Sequence, residues 1–458
     1  MLIVESRMRA LLCASSLLLV GLGAGAAESL WKAGVARANI TPDQALWLAG
    51  YASRDKPAEG KLMDLWVKVL ALEDAKGRQA VLVTSDTLGI PQSIYQDLCA
   101  AFKEKFKLRP DQIMLSASHT HCGPVLRGAL YDMYPFGEEQ RAMIDKYSLG
   151  LEAKIIEATS NALASLAPAH LAAGEGAAGF AVNRRNNPEG QVPRLIQQGT
   201  LKGPMDHSVP VLAVSRADGS LVAMVFGYAC HNTVMAFYQW SGDYAGFAQL
   251  ALEKSHPGAT AMFFMGCGGD QNPLPRHEVI LAERYGQMLA AAVEETLLGP
   301  PRNLAPELKT SLEIVPLNLG AAPTEPELQE MITDGKTPTG QRWARRWLGR
   351  LKTGPPLART YPFPVQGWRL GSQLWLALGG EPVVDYSLKF KKEFGEGAWV
   401  AGYCNDVMTY IPSLRVLKEG GYEGGGAMLP YGMPAFRWGE DVEDLIDAAA
   451  RRAVKQLE

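Results

Sequence analysis

The feature that most constrains the fold is the alternation of short apolar runs with longer amphipathic segments along most of the chain. Runs rich in Val, Leu, Ile and Phe predict strands, and several of them are apolar at every position, as in strands covered on both faces. Between them, charged residues recur on one side of a helical period and predict helices. Strands that alternate with helices indicate an α/β fold. We therefore expect a layered α/β sandwich with a mixed β-sheet core and flanking helices.

The boundaries follow from the same patterns. The predicted strands are residues 67–72, 80–84, 113–117, 209–214, 221–226, 259–265 and 374–378. The predicted helices are residues 92–106, 138–166, 278–298, 325–352 and 440–455. Two regions break the rhythm: residues 175–204, rich in Asn, Arg and Gly, predict a long functional loop, and residues 300–364 predict an inserted lid.

The first 26 residues have the pattern of a signal peptide. Arg7 and Arg9 precede an apolar run over residues 10–22, and Ala24 and Ala26 supply the small residues that signal peptidase recognises. The run is shorter than the roughly 20 residues that a spanning helix needs. We expect cleavage after residue 26, a single catalytic domain over residues 27–458, and a periplasmic or secreted location. An uncleaved membrane anchor is the alternative.

Charge and cysteine content exclude two other classes of protein. The formal net charge of −3 argues against a nucleic-acid partner, because such proteins are usually strongly basic. Five cysteines follow residue 26, and an odd number leaves at least one unpaired, so a disulfide scaffold is not expected. The chain has no CxxC pair, which favours small buried cysteines over a thiolate metal site.

Several groups that can bind a metal follow predicted strands. His119 and His121 come directly after the strand 113–117, His231 follows the strand 221–226, and Glu381 follows the strand 374–378. Ligand sites of α/β sheets usually lie at such strand ends. Two imidazoles, one carboxylate and an open position form a hydrolytic zinc centre, in which zinc activates a bound water. The spacing leaves open which histidines bind the metal and which are ordinary loop or core residues.

A glycine-rich segment, residues 266–273, follows the strand 259–265. Its backbone N–H groups can form an oxyanion hole, or the segment can be only a tight connection. It lacks the Lys-Ser/Thr ending of a phosphate loop. The chain also lacks the GxSxG and HExxH motifs, which argues against a serine esterase and the common metalloproteases.

Taken in order, these motifs resemble the catalytic domain of the neutral/alkaline non-lysosomal ceramidases. The likeness spans about residues 34–435. The matching segments are Gly50-Tyr51, Ser118 to Pro124, Asn183-Arg184, His231, Ser241-Gly242-Asp243, Gly380-Glu381, Asn405 to Tyr410 and Tyr422-Glu423.

The resemblance implies roles for these residues. The zinc ligands it implies are His119, His231, Glu381 and Tyr410. The groups that it assigns to the substrate and the oxyanion are His121, Arg184, Tyr422 and the backbone at Gly50. Two departures accompany it. Asn272 stands where the family has a serine, proposed as nucleophile or transition-state partner; a carboxamide cannot act as that nucleophile, although its NH₂ can donate to an oxyanion. The family's C-terminal immunoglobulin-like domain also has no matching segment.

We therefore expect a zinc-dependent amidohydrolase that cleaves the N-acyl amide bond of ceramide or a related N-acyl compound by means of a zinc-activated water. One alternative is a zinc-dependent esterase or deacylase acting on another lipid or an acylated sugar; another is an inactive homologue that binds lipid or carbohydrate. In residues 341–352, Trp343, Trp347 and Leu351 lie on one helical face among basic residues. That pattern predicts peripheral contact with an anionic membrane, a lid, or an ordinary helix with solvated charges.

Overall fold

The computed structural model describes residues 30–458, so the expected signal peptide over residues 1–26 lies outside the described residues. The strands are β1 (Trp31–Asn39), β2 (Gly60–Lys61), β3 (Trp66–Glu73), β4 (Gln79–Ser85), β5 (Ile113–Ala117), β6 (Ala167–Ala177), β7 (Ala181–Asn183), β8 (Ser208–Arg216), β9 (Leu221–Tyr228), β10 (Gln239–Trp240), β11 (Thr260–Met265), β12 (Gln271–Pro273), β13 (Arg302–Asn303), β14 (Leu308–Asn318), β15 (Thr360–Leu370), β16 (Gln373–Leu378), β17 (Glu381–Pro382), β18 (Trp399–Ala401) and β19 (Tyr410–Ile411). The helices are α1 (Gln92–Phe106), α2 (Glu138–Ala164), α3 (Val192–Gln198), α4 (Asp243–Ser255), α5 (Val279–Leu298), α6 (Glu325–Thr333), α7 (Pro338–Thr353), α8 (Val384–Phe394), α9 (Leu414–Glu419), α10 (Gly421–Gly424) and α11 (Val442–Lys455).

Two mixed sheets form the centre of the fold. The larger has the order β11-β9-β8-β6-β1-β3-β4-β5, with β13 paired to β6. Its terminal pairs, β9/β11 and β4/β5, are parallel, and the pairs between them are antiparallel. The smaller sheet has the order β14-β15-β16-β18, in which only the pair β16/β18 is parallel. These sheets confirm the predicted α/β layered sandwich.

The alternation of side chains along the strands explains the layers. Val67 and Val69 of β3 face a core that also contains the apolar faces of α1, α2, α4 and α5. Leu70 and Leu72 of the same strand point the other way, into a core shared with the smaller sheet. There the Phe264 and Trp375 rings lie 4.7 Å apart, one from each sheet.

The outer face of the smaller sheet is covered in the same way. Leu374 and Leu376 of β16 pack against Tyr386 of α8 and Ile446 of α11. The order of layers is therefore helices, large sheet, small sheet, helices. Because strands are buried on both faces in such a stack, their sequences read as continuous apolar runs.

The predicted helix over residues 325–352 was wrong, because the structure divides it into α6 and α7. Helix α6 ends at Thr333, and Thr337 caps α7 by accepting a hydrogen bond from the backbone N–H of Gly340. Pro338 follows at the first position of α7, where its missing N–H costs nothing. The resulting hairpin lies between β14 and β15.

The predicted long loop over residues 175–204 also needs correction. Strand β6 continues to Ala177, and the segment contains β7 and α3. Strand β7 pairs with β12, which places Asn183 opposite Gln271. The other predicted strands and helices each overlap an observed element. The five cysteines of the described residues are free. The odd count had required that at least one of them be unpaired. No helix within residues 30–458 is both long and apolar enough to cross a membrane.

Candidate metal centre and active site

The candidate metal ligands lie just beyond strand ends from both sheets. His119 follows β5 and His231 follows β9 of the large sheet, whereas Glu381 follows β16 of the small sheet. Tyr410 reaches the same place because β17 and β19 form a short parallel ladder in which Glu381 pairs with Tyr410. His119 has a left-handed backbone conformation, with φ of 58°, which turns the chain sharply at the end of β5.

The structure brings the four predicted zinc ligands together. Glu381 Oε2 lies 3.2 Å from His119 Nε2 and 3.4 Å from His231 Nε2. The Tyr410 hydroxyl lies 2.7 Å from His231 Nε2. All four side chains are buried. Their polar atoms therefore converge on one point.

The hydrogen bonds of the two histidines show that this point suits a cation. His119 Nδ1 lies 2.7 Å from the Leu88 carbonyl, and His231 Nδ1 lies 2.7 Å from the Gly268 carbonyl. Because a carbonyl only accepts, both Nδ1 atoms carry protons, so the lone pair of each ring in its neutral form lies at Nε2. These lone pairs face Glu381 Oε2, which has no hydrogen-bond partner among the described residues. Nitrogen and oxygen donors of this kind fit Zn²⁺.

The protonation states agree with that fit. Burial, aided by the nearby Arg184 charge, lowers the pKa of His231 to about 4, so its ring is neutral near pH 7. Burial alone would raise the pKa of Glu381, but His119 and His231 lower it well below its usual range. A metal binds the neutral form of imidazole and the ionised form of a carboxylate. The low pKa of His231 favours the neutral imidazole, whereas the low pKa of Glu381 depends on positive charge beside it, which a bound cation would supply.

His121 faces the same centre from the cavity side. Its Nε2 lies 3.2 Å from His119 Nε2, and the nitrogens of His119, His121 and His231 all lie within 4.8 Å of one another. These three rings are an alternative ligand set, although the orphaned Glu381 Oε2 is directed at only two of them. The backbone of Gly50, with φ of +102°, supports the His121 ring. A Cβ atom on Gly50 would lie 2.4 Å from His121 Nδ1.

Arg184 connects the metal centre to the substrate side. Its guanidinium donates to Glu423 Oε1 at 2.7 Å, to Asn272 Oδ1 at 3.1 Å and to the Tyr410 hydroxyl at 3.1 Å. Burial alone would lower the pKa of Arg184, but Tyr410 and Glu423 raise it well above its usual range. A guanidinium can only donate, so the amide oxygen of Asn272 must face it. The Asn272 NH₂ group is left to face the cavity.

A cavity of about 620 Å³ opens above these groups. The predicted site residues that line it are Gly50, His121, Arg184, His231, Asn272, Tyr410 and Tyr422. His119 and Glu381 lie beneath this lining, in contact with His231. The Tyr422 ring packs edge-on against Tyr410 with centroids 5.2 Å apart. The structure thus places every predicted site residue in or directly below one cavity; their individual roles stay predictions.

Two tyrosines of the site were missed by sequence reasoning. Tyr431 lines the cavity and donates a hydrogen bond to Glu381 Oε1. The buried Tyr403 ring lies 4.4 Å from the His119 ring. Neither residue sits in a local motif, and the chain contains 15 tyrosines, so only the folded arrangement identifies them.

Buried histidines and a carboxylate that converge beside a cavity at the ends of strands form the site of an enzyme. The chain belongs to a known family: the model of the neutral/alkaline non-lysosomal ceramidase N-terminal domain matches residues 31–281. Membership in this family makes the protein a hydrolase of amide bonds. The resemblance found in the motifs is thereby confirmed.

Two solved structures have the same fold. A structure described as a ceramidase complexed with C2 has a TM-score of 0.71 and 21% identity, and the match covers 93% of this chain and 76% of that one. The neutral ceramidase from Pseudomonas aeruginosa has a TM-score of 0.70 and 22% identity, covering 94% of this chain and 75% of that one. A comparison with curated proteins gives no match.

Proposed function

We propose that this protein is a zinc-dependent amidohydrolase that cleaves the N-acyl amide bond of ceramide or a related N-acyl compound. The observation that carries the proposal is the convergence of His119 Nε2 and His231 Nε2 on the unpartnered Glu381 Oε2 below the cavity. With Tyr410, these residues would hold the ion. A bound zinc polarises a carbonyl and supplies a nucleophile at neutral pH by lowering the pKa of water.

The chain's own donors suit the negative charge that develops on the carbonyl oxygen. The charged guanidinium of Arg184 and the NH₂ of Asn272 lie side by side at the cavity wall. Both are held before substrate arrives: Arg184 by Glu423 and Tyr410, and Asn272 by Arg184. Donors fixed in advance stabilise an oxyanion without further reorganisation. His121, which lines the same cavity with Gly50 behind it, would hydrogen-bond the leaving nitrogen.

The presence of asparagine at position 272 affects which hydrolytic mechanism we expect. At the position of the family serine it offers no hydroxyl, so this residue forms no acyl ester with the substrate. A single direct attack by water on the amide is the simpler route that fits these residues. An ester of another lipid or of an acylated sugar could react in the same way, which makes ester hydrolysis the competing activity.

The proposal also covers export and membrane contact, and these two parts differ in how much evidence supports them. A periplasmic or secreted location is supported by the signal-peptide pattern in residues 1–26. Membrane contact by α7 has less support, because Trp343 is buried and its indole donates to the Met433 carbonyl. Trp347 is half-buried, with the Arg346 guanidinium 4.4 Å above its ring. These contacts favour an ordinary packed helix.

The test begins with the metal content of residues 27–458 after exposure to zinc. We expect about one zinc per chain, lost in His119→Ala and in His231→Ala but retained in His170→Ala, an exposed histidine of β6. Matched amide and ester substrates then separate the two activities. A folded protein that takes up no zinc would refute the proposal and favour a binding protein instead.

A further inference from the structure

Helix α7 holds the turn that carries Tyr431. The Trp343 indole donates to the Met433 carbonyl at 2.8 Å, and Arg346 Nη2 donates to the Gly432 carbonyl at 2.9 Å. These two carbonyls belong to the two residues that directly follow Tyr431 in the chain. The helix therefore fixes the backbone on the C-terminal side of this tyrosine.

The same helix is anchored to the loop that follows β5 and His121. Arg346 Nε lies 3.1 and 2.8 Å from the two carboxylate oxygens of Asp132, and Nη2 donates to the same carboxylate. Arg342 donates to the Asp132 and Met133 carbonyls at 2.9 and 2.7 Å. Helix α7 thus connects the loop beyond the paired histidines to the turn that carries the cavity tyrosine.

The ion pair and the turn are in direct contact. A guanidinium has five N–H donors in a fixed fork, so Arg346 can serve the Asp132 carboxylate and the Gly432 carbonyl at once. Gly432 has a left-handed backbone conformation, with φ of +73°. A Cβ atom there would lie 2.8 Å from Arg346 Nη2 and 3.3 Å from Asp132 Oδ2. This close approach requires glycine at position 432.

The turn in its place holds a proposed metal ligand. The Tyr431 hydroxyl donates to Glu381 Oε1, which leaves Oε2 directed at His119 and His231. The direction of Oε2 depends on where the hydroxyl holds Oε1. A shift of the Tyr431 backbone would therefore turn the carboxylate away from the two imidazoles, and groups that orient a ligand in this way affect metal affinity.

From these contacts we infer that Arg346 is a positioning residue for the metal centre. It fixes the turn through the Gly432 carbonyl, and the Tyr431 hydroxyl passes that constraint to Glu381. The inference rests on the proposed zinc site and gives the hairpin of α6 and α7 a role in zinc affinity. Such a role makes the effect of Arg346 on zinc binding depend on the Tyr431 hydroxyl.

The experiment measures the zinc Kd by competition with a chelator for the wild type, Arg346→Gln, Tyr431→Phe and the double variant. We expect Arg346→Gln to raise the Kd about tenfold, the lower end of the range for groups that support metal ligands. In the Tyr431→Phe background the same substitution should change the Kd less than about twofold, because the hydroxyl through which it acts is gone. Equal rises in both backgrounds, or an unchanged Kd in Arg346→Gln, overturn the inference.

Lys352→Gln is the matched control, because it breaks an ion pair of the same hairpin, with Glu325 at 3.2 Å, that does not reach the turn. We expect it to bind zinc like the wild type. If Arg346→Gln does not fold, Arg346→Lys decides in the same cycle, since it keeps a charge beside Asp132 and loses the fork. A wild type that binds no zinc overturns the proposed function and this inference together. A wild type that binds zinc beside Arg346 variants of equal affinity overturns the inference alone.

Discussion

Replacing Tyr431 with phenylalanine tests how the proposed metal ligand Glu381 is held. The Tyr431 hydroxyl donates to Glu381 Oε1, and the carboxylate is buried, so no water replaces the lost donor easily. A hydrogen bond to a charged group contributes about 1.5–3 kcal/mol. Because 1.36 kcal/mol corresponds to a factor of ten, the loss predicts a rise of roughly 10- to 150-fold in the zinc Kd. Mutation of a residue that hydrogen-bonds a metal ligand typically weakens metal affinity by a similar factor, roughly 10- to 100-fold.

The assay is zinc competition against a chelator of known affinity, for the wild type and Tyr431→Phe. Tyr386→Phe is the matched control, because it also removes a buried hydroxyl, bonded to the Pro412 carbonyl at 3.0 Å and away from the cavity. We expect the control to bind zinc like the wild type, with at most a modest fall in Tm. An unchanged zinc Kd in Tyr431→Phe would refute the view that this tyrosine orients the ligand.

Four further predictions address the rest of the site. Gly50→Ala places a Cβ atom 2.4 Å from His121 Nδ1 at a φ of +102°, so we expect kcat/KM to fall at least about 100-fold with zinc content unchanged. Arg184→Lys loses the fork that reaches three acceptors; kcat should fall about 10²-fold with little change in KM, both measured from initial rates over a range of substrate concentrations. Asn272→Ser removes the amide that Arg184 orients, so activity should fall about tenfold; a gain would instead indicate that the family serine had been lost from its role. The depressed pKa of His231, about 4, means that the unfolded chain binds this proton first as pH falls. The metal-free protein should therefore lose up to about 3 kcal/mol between pH 6.5 and 4, and His231→Asn should flatten that dependence in thermal unfolding.

The sequence predicts the layers well because burial on both faces leaves a strong local signal. Helix 92–106 and strand 113–117 appear with the predicted boundaries. The break between α6 and α7 was missed although the sequence marks it: no large apolar residue occurs between Ile332 and Trp343, and that interval contains two glycines and Pro338. Proline is accepted at a helix start and disrupts a helix interior, so Pro338 fits the first position of α7 and not the middle of one long helix.

The site was predictable only where residues cluster in the chain. His119 and His121 stand out as a pair, whereas Tyr410 was selected through the family resemblance and not from its surroundings. Tyr431 and the ion pair between Arg276 and Glu189 depend on contacts across 50 and 87 residues of chain, which no local pattern records. Such groups become visible only when loops from separate strand ends meet.

If the proposed metal ligands bind one ion, their positions beside both sheets have a consequence for folding. His119 and His231 belong to the segment that matches the family domain, residues 31–281, while Glu381 follows β16 of the smaller sheet and Tyr410 pairs with it in the short β17/β19 ladder. An ion held by all four would act as a cross-link between the two halves of the sandwich. Its binding free energy would then stabilise their docking, so zinc and the inter-sheet core around Phe264 and Trp375 would reinforce each other.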